Sequence, residues 1–164
     1  MTGRYPIRLM RQRDLDAILH LEHACFGKDA YDRKLFAEYS NTCRGLFLVA
    51  QSRGRICGYS LTYAKADRAE LVSIAVHPSA RGKGVASALL ESTLRRLRRR
   101  KVGRLSLMVR VANTAARRFY EKFEFTKVRI VRGYYEDGAD GYLMRKTLYS
   151  RNSPSATISA GPVR

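Results

Sequence analysis

The sequence predicts an α/β (α+β) protein built on a mixed, mostly antiparallel sheet of six to seven strands flanked by about four helices. Three observations carry this expectation. Short apolar runs alternate with segments of helical period in the order β α α β β β α β α β β. Two of the runs, LFLVA (46–50) and ICGYSLTYA (56–64), are joined by the tight-turn sequence SRGR (52–55), which makes a hairpin. A hydrophobic content of 45% in 164 residues is ample for one core of ordinary size. Such a pattern suits a largely antiparallel sheet with helices on both faces. A single domain is expected over residues 1–149. The end, SRNSPSATISAGPVR (150–164), is small, polar and aperiodic, and reads as a disordered tail.

IRLM (7–10) reads as the first strand. Asp14 is the expected cap of a helix whose apolar residues Leu15, Ile18, Leu19 and Leu21 recur at helical spacing. A shorter helix follows over Asp32–Tyr39, and then the hairpin. Leu71–Val76 is a strand stopped by Pro78, which lacks the backbone donor a continuing ladder needs. From Gly84 to Lys101, Ala86, Leu89, Leu90, Leu94 and Leu97 mark one helical face and arginines the other. LSLMV (105–109) is a strand and Thr114–Phe123 a helix. VRIVRGYY and YLMRKTL are two final strands around the turn EDGADG.

Composition narrows the function classes. No run of eighteen apolar residues is present, and MTGRYPIRLMRQRD lacks the apolar core of a signal peptide, so a cytoplasmic protein without membrane segments is expected. Cys25, Cys43 and Cys57 are odd in number and set among apolar or small neighbours, which fits reduced thiols rather than a disulfide frame or zinc site. His20 and His23 share a helical face near Cys25, but HLEHAC lacks the HExxH order of a metal site. The 32 Lys and Arg against 14 Asp and Glu give a formal charge of +18. That excess attracts nucleic acid, anionic membrane surfaces or phosphorylated cofactors and says nothing about fold. RRLRRRK (Arg95–Lys101) is its densest run, read as a solvated amphipathic face or as an RNA contact. Nothing in the sequence sets an oligomeric state.

The most informative stretch is IAVHPSARGKGVASALL. A strand ends, a turn with two glycines follows and a helix begins, so backbone N–H groups without intrahelical acceptors converge. Glycine lets a backbone approach a phosphate, and the helix dipole adds roughly 0.3 to 1 kcal/mol of preference for negative charge. The Walker pattern is absent, and GxGxxG is incomplete because Ser87 stands where its third glycine belongs. A pyrophosphate site remains, alongside the plainer reading that Gly82 and Gly84 shape a turn beside a solvated Arg81.

Arg81, Gly84 and Ala86 fit the [QR]xxGx[GA] signature, and Asn113, Ala116 and Tyr120 in VRVANTAARRFYEKFEF fit an Nx₂Ax₃Y segment. On these two blocks the chain resembles the GCN5-related N-acetyltransferases (GNAT family) over about residues 6–148. Within that family it is most similar to the RimI-type N-terminal acetyltransferases, whose ending resembles RGYYEDGADGYLM. The resemblance implies the GNAT fold and acetyl-CoA as cofactor. It implies that the loop Arg81, Gly82, Lys83, Gly84, Val85 and Ala86 holds the pyrophosphate through its amides. It implies too that the backbone of Ile74, Ala75 and Val76 pairs with the pantetheine arm like an added strand, and that Asn113, with Ala116 in the same block, contacts the arm from the other side.

Acyl transfer to an amine needs a neutral nucleophile, a stabilised oxyanion and a proton for the departing thiolate. Asn113, Ala116 and Tyr120 are spaced for one helical face. The resemblance makes Tyr120 the general acid; the alternative is a core aromatic beside Phe119 and Phe123. The RimI-like subgroup commonly carries a glutamate where this chain has Met108. Glu70 is the substitute base, matching a catalytic glutamate of histone-type members six residues before Val76. Strand alternation puts Glu70 on the face of Val76 unless a bulge breaks the count, and a solvated carboxylate is the alternative. Glu124 also departs from the family, which often has glycine there.

At pH 7 an α-amine with pKa near 8 needs about 1.4 kcal/mol to lose its proton, whereas a lysine needs roughly 4.6 kcal/mol. An N-terminal acceptor is therefore favoured over lysine or small amines. The resemblance places Tyr134 and Tyr135 along the slot for the first acceptor residues, otherwise half-exposed strand aromatics, with Phe26 and Tyr31 as the opposite wall. A protein or peptide amine, including a ribosomal protein, is the expected partner. The rival expectation is a catalytically weak CoA-binding module docking on RNA or the ribosome.

Overall fold

In the computed structural model, residues 5–149 are described, and the tail expected at 150–164 lies outside them. The strands are β1 (Ile7–Leu9), β2 (Phe47–Ser52), β3 (Arg55–Lys65), β4 (Arg68–Val76), β5 (Arg104–Arg110), β6 (Thr126–Val131) and β7 (Gly141–Thr147). The helices are α1 (Leu15–Phe26), α2 (Arg33–Thr42), α3 (Val85–Arg99) and α4 (Thr114–Lys122). One seven-stranded sheet forms in the order β1-β2-β3-β4-β5-β7-β6. The pairs β1/β2, β2/β3, β5/β7 and β6/β7 are antiparallel, and β4/β5 is parallel. This is the expected element order and sheet type.

The chain divides into two compact units, Met1–Tyr63 with Leu71–Arg96 and Ala64–Glu70 with Leu97–Arg164. In the first, strand alternation separates two cores. Phe47 and Val49 of β2 join Tyr59 and Leu61 of β3 beneath Leu15, Ile18 and Leu21 of α1 and Phe36 of α2. Leu48 and Ala50 point the other way and pack with Cys57, Val85 and Leu89 under α3. Gly58 of β3 belongs to this close contact, since a Cβ there would stand 3.0 Å from Val85 Cγ1 and 3.1 Å from the Ala75 carbonyl. All three cysteines are free thiols, two of them buried.

In the second unit, Leu105, Leu107 and Val109 of β5 are buried, while Ser106, Met108 and Arg110 alternate onto the other face. The register sets Met108 opposite Leu143 and Arg110 opposite Gly141. On the first of these faces, Tyr142 of β7 takes the Arg117 guanidinium at 5.3 Å and the Lys127 ammonium at 4.9 Å from its ring centre.

Two local expectations are corrected. Asp14 does not cap α1. Its carboxylate accepts the Arg11 amide at 2.7 Å and both terminal nitrogens of Arg8 at 2.7 and 2.9 Å, closing a 3-10 turn over Gln12–Asp14. A guanidinium presenting two donors outcompetes a single helix amide. Asp32, by contrast, caps α2 by accepting the Leu35 amide at 2.8 Å. The strand read through Tyr135 ends at Val131, because Gly133 takes positive φ and its amide donates to Asp140 at 2.8 Å, turning the chain away.

Candidate active site

The first unit contains the glycine turn. Gly82 and Gly84 have φ of 71° and 85°, and neither would bring a Cβ within 4 Å of another atom, so their backbone faces open space. The α3 ladder opens with Ala88 donating to Gly84, and no backbone carbonyl among the described residues pairs with the amides of Val85, Ala86 or Ser87. Val85 is anchored below by a side chain 1% exposed, so it offers only its amide outward. Lys83 Nζ reaches back to the Ser79 carbonyl at 3.0 Å, bracing the turn. Open positive-φ glycines and unpaired first-turn amides fit a pyrophosphate.

Arg81 is not simply solvated. Its Nε donates to the Val76 carbonyl at 3.1 Å, and the Cys25 thiol donates to the same oxygen at 3.4 Å. Ile74 and Val76 pack toward the α3 side, and Ala75 belongs to the core under α1 and α2. Val72 also packs toward α1 and α2, although strict alternation would put Val72, Ile74 and Val76 together. The count therefore breaks within β4, and Glu70, two residues before Val72, does not share a face with Val76. Phe26 ends α1 40% exposed, and Tyr31 stands edge-on to Phe36 at 6.0 Å.

The second unit gathers the remaining candidates. Pairing of β4 with β5 runs from Arg68↔Arg104 to Glu70↔Ser106, so Glu70 is its last member and lies inside a strand, exposed. The Tyr134 hydroxyl has its pKa raised, by desolvation first and then by the negative charge of Glu70. Tyr134 and Tyr135 sit in the turn after β6, perpendicular at 5.0 Å. Gly141 makes room for them: a Cβ there would lie 2.8 Å from Met108 Cε, 3.3 Å from Tyr135 and 3.5 Å from Tyr134. Arg110 holds Tyr135 from above, its guanidinium 4.1 Å from the ring centre and its Nη1 2.8 Å from Asp137. Sequence reasoning missed Gly141 and Arg110. The available signal was their strand-end position beside the two tyrosines.

Tyr120 lies in α4, 7% exposed, with its ring against Phe119 at 5.2 Å and Phe125 at 5.7 Å. Both readings of this residue thus have a physical basis, since it is packed as a core aromatic yet its hydroxyl makes no hydrogen bond among the described residues. Burial, and secondarily Tyr135, push its pKa far above the ordinary 10. Asn113 corrects the shared-face expectation. It is the N-cap of α4, its Oδ1 accepting the Ala116 amide at 3.1 Å, which leaves the side-chain NH₂ as the group facing outward from the cap. Glu124, where the resembling proteins often have glycine, adopts φ 65° and pairs with Lys146 at 3.0 Å.

A separate concavity of about 740 Å³ in the first unit is lined by Arg8, Arg13, His20, Arg55 and His77 among others, and contains none of the predicted site residues.

The model of the acetyltransferase (GNAT) family matches residues 15–125. An uncharacterized N-acetyltransferase of Methanocaldococcus jannaschii is 33% identical over 150 residues, 90% of this chain and 95% of that protein. An N-alpha-acetyltransferase of Saccharolobus solfataricus is 30% identical over 157 residues, 88% and 93% of the two chains. Among solved structures, the ribosomal-protein-S18-alanine N-acetyltransferase from Escherichia coli superposes with a TM-score of 0.81 at 28% identity, covering 92% of this chain and 97% of that one.

Proposed function

Since the chain belongs to the acetyltransferase (GNAT) family and is an N-acetyltransferase drawing on acetyl-CoA, we propose that its acceptor is the α-amine of a protein or peptide N-terminus. The amine attacks directly, through a tetrahedral intermediate. The observation that carries this reading is the cluster of Glu70, Tyr134, Tyr135, Met108 and Gly141 in the second unit, a carboxylate beside an aromatic recess. The names of relatives in Saccharolobus solfataricus and Escherichia coli support the same acceptor class.

When bound, acetyl-CoA supplies an activated acyl group and a thiolate leaving group. The chain supplies the rest. The open turn Arg81–Ala86 offers its amides to the pyrophosphate, and the backbone of Ile74–Val76 lies past the last β4/β5 pair, where an extended arm finds an unpaired edge. The Asn113 side-chain NH₂ is the donor left over from capping. Glu70 takes the proton of the incoming ammonium, directly or through water, with no carboxylate at Met108 to share the work. Tyr120 stays protonated at any working pH, gives its proton to the departing thiolate, and is restored through solvent by the proton that the attacking nitrogen sheds as the amide forms. Tyr134 and Tyr135 of the second unit receive the first acceptor residues, and Phe26 and Tyr31 of the first unit take the role of an acceptor wall. These residues act within a single cytoplasmic domain spanning 1–149.

The test is free-thiol release by purified protein offered N-terminal peptides, ribosomal-protein termini included, against the same peptides blocked at the α-amine but carrying lysine, and against small amines. Turnover confined to free α-amines is expected, and turnover on lysine or small amines alone would overturn the acceptor assignment. A second reading, a weakly catalytic CoA-binding module docked on RNA, is favoured by Met108 and by the exposed Arg95, Arg98, Arg99 and Lys101. It requires no turnover on any amine together with tight, salt-sensitive RNA binding.

A further inference from the structure

Glu22 sits on the inner face of α1, 1% exposed, among Ile18, Leu21 and Phe36. A carboxylate in such surroundings is costly unless its oxygens are satisfied, and here both are. Oε1 accepts the backbone amide of Tyr31 at 3.0 Å. Oε2 accepts the hydroxyl of Tyr59, a residue of β3 with no exposed surface, and the same hydroxyl meets Ser73 Oγ of β4 at 2.7 Å. Four chain segments are thus linked through this side chain and the Tyr59 hydroxyl: α1, β3, β4 and the connection between α1 and α2. Three of the four are regular elements. The fourth, residues 27–32, begins with Gly27 at φ 54°, makes one 3-10 turn and reaches the Asp32 cap of α2. A glycine-started connection of this kind has little intrinsic preference for one path, and the buried carboxylate holds it at Tyr31.

We infer that Glu22 is a positioning residue for acceptor recognition: its carboxylate, oriented by Tyr59 and Ser73, pins the Tyr31 amide and so fixes the connection carrying the Phe26 and Tyr31 wall. The inference rests on the proposed reading that this wall meets the first acceptor residues. Apolar packing alone does not account for Glu22, since leucine would fill the same face of α1 without burying a charge. The two-oxygen geometry does account for it, because one oxygen faces the connection and the other faces the sheet. Glutamine retains an acceptor for the Tyr31 amide but presents an NH₂ to Tyr59. Alanine retains neither contact.

The experiment compares Glu22→Gln, Glu22→Ala and Tyr59→Phe with the wild type in acetyl-transfer kinetics and in hydrogen exchange at the Tyr31 amide. Glu22→Ala is expected to raise the acceptor KM at least tenfold and to flatten the preference among first residues. Its kcat and acetyl-CoA KM should stay within twofold, the pattern of lost uniform binding. Tyr31 protection should be lost in Glu22→Ala and largely kept in Glu22→Gln, whose acceptor KM should stay near the wild-type value. Tyr59→Phe should fall between them. Lost Tyr31 protection with unchanged acceptor KM would overturn the inference while leaving the proposed function standing. A parallel fall of kcat and rise of both KM values in Glu22→Gln would overturn it in favour of a purely structural role. The proposed function is judged separately, on the wild type: acetylation of lysine alone sinks that reading, and Glu22 is then judged by the same KM split with the lysine acceptor. A wild type that acetylates no amine overturns both.

Discussion

Replacing Tyr120 by phenylalanine separates chemistry from architecture. The ring makes its contacts with Phe119 and Phe125 through carbon, and phenylalanine keeps them. The hydroxyl has no hydrogen-bond partner among the described residues, so its removal strands no donor or acceptor. A hydroxyl that makes no hydrogen bond within the protein adds little to stability. The melting temperature should therefore hold or rise, within about 1 kcal/mol, or roughly 2 to 4 °C for a chain of this size. Turnover should behave differently. A positioned acid contributes about 10² to 10⁴ in rate, or about 2.7 to 5.4 kcal/mol of barrier. Burial raises the Tyr120 pKa, so the group is protonated at every pH below 10 and adds no falling limb to the rate profile there. The assay is thiol release across pH 6 to 9 beside thermal unfolding by circular dichroism. Equal rates for variant and wild type would remove the acid role, and a fall in melting temperature beyond about 5 °C would show the hydroxyl to be a structural group.

Three further outcomes are expected. Glu70→Gln should lower kcat about 10²-fold with little change in acetyl-CoA KM, read by the same thiol assay. Asp14→Asn should cost about 1 to 3 kcal/mol at pH 7 in urea unfolding, because it removes the carboxylate paired with Arg8. The Arg8 bond holds the Asp14 pKa below its ordinary 3.8, so this stabilisation is present above pH 3.8 and is lost as pH falls through the lowered value. Variant and wild type should converge in that acidic range. Gly58→Ala should destabilise by about 1 to 3 kcal/mol, since its methyl meets Val85 Cγ1 at 3.0 Å and the Ala75 carbonyl at 3.1 Å, and a backbone oxygen inside a sheet has little room to yield.

Element order was legible because it follows from periodicity, and periodicity survives any tertiary arrangement. What escaped were choices between partners. Asp14 stands where a cap belongs, but Arg8, six residues away and across a turn, offered the stronger contact. The tyrosines of RGYY have strand propensity, but Gly133 and Asp140 settled the end of β6. The break in β4 left no trace in AELVSIAV, since alternating and bulged strands of apolar residues spell alike. Glu22 did leave a trace. It stands four residues after Ile18 and seven after Leu15, on the apolar stripe of α1, where a charge signals either a defect or a purpose. The glycine turn was the clearest feature because positive φ leaves so few residue types to choose from, whereas the recess around Met108 and Gly141 brings β5 against a turn and a strand from a later part of the chain.

The bond from Arg81 to the Val76 carbonyl ties the end of β4 to the turn that follows it. Under the cofactor placement proposed above, an extended arm seeking that oxygen must first evict a side chain rooted five residues away, so capture becomes an exchange rather than a simple landing. Affinity is discounted by the fraction of molecules in which the tether is closed, and whatever draws Arg81 toward an incoming phosphate unlatches the strand at the same stroke.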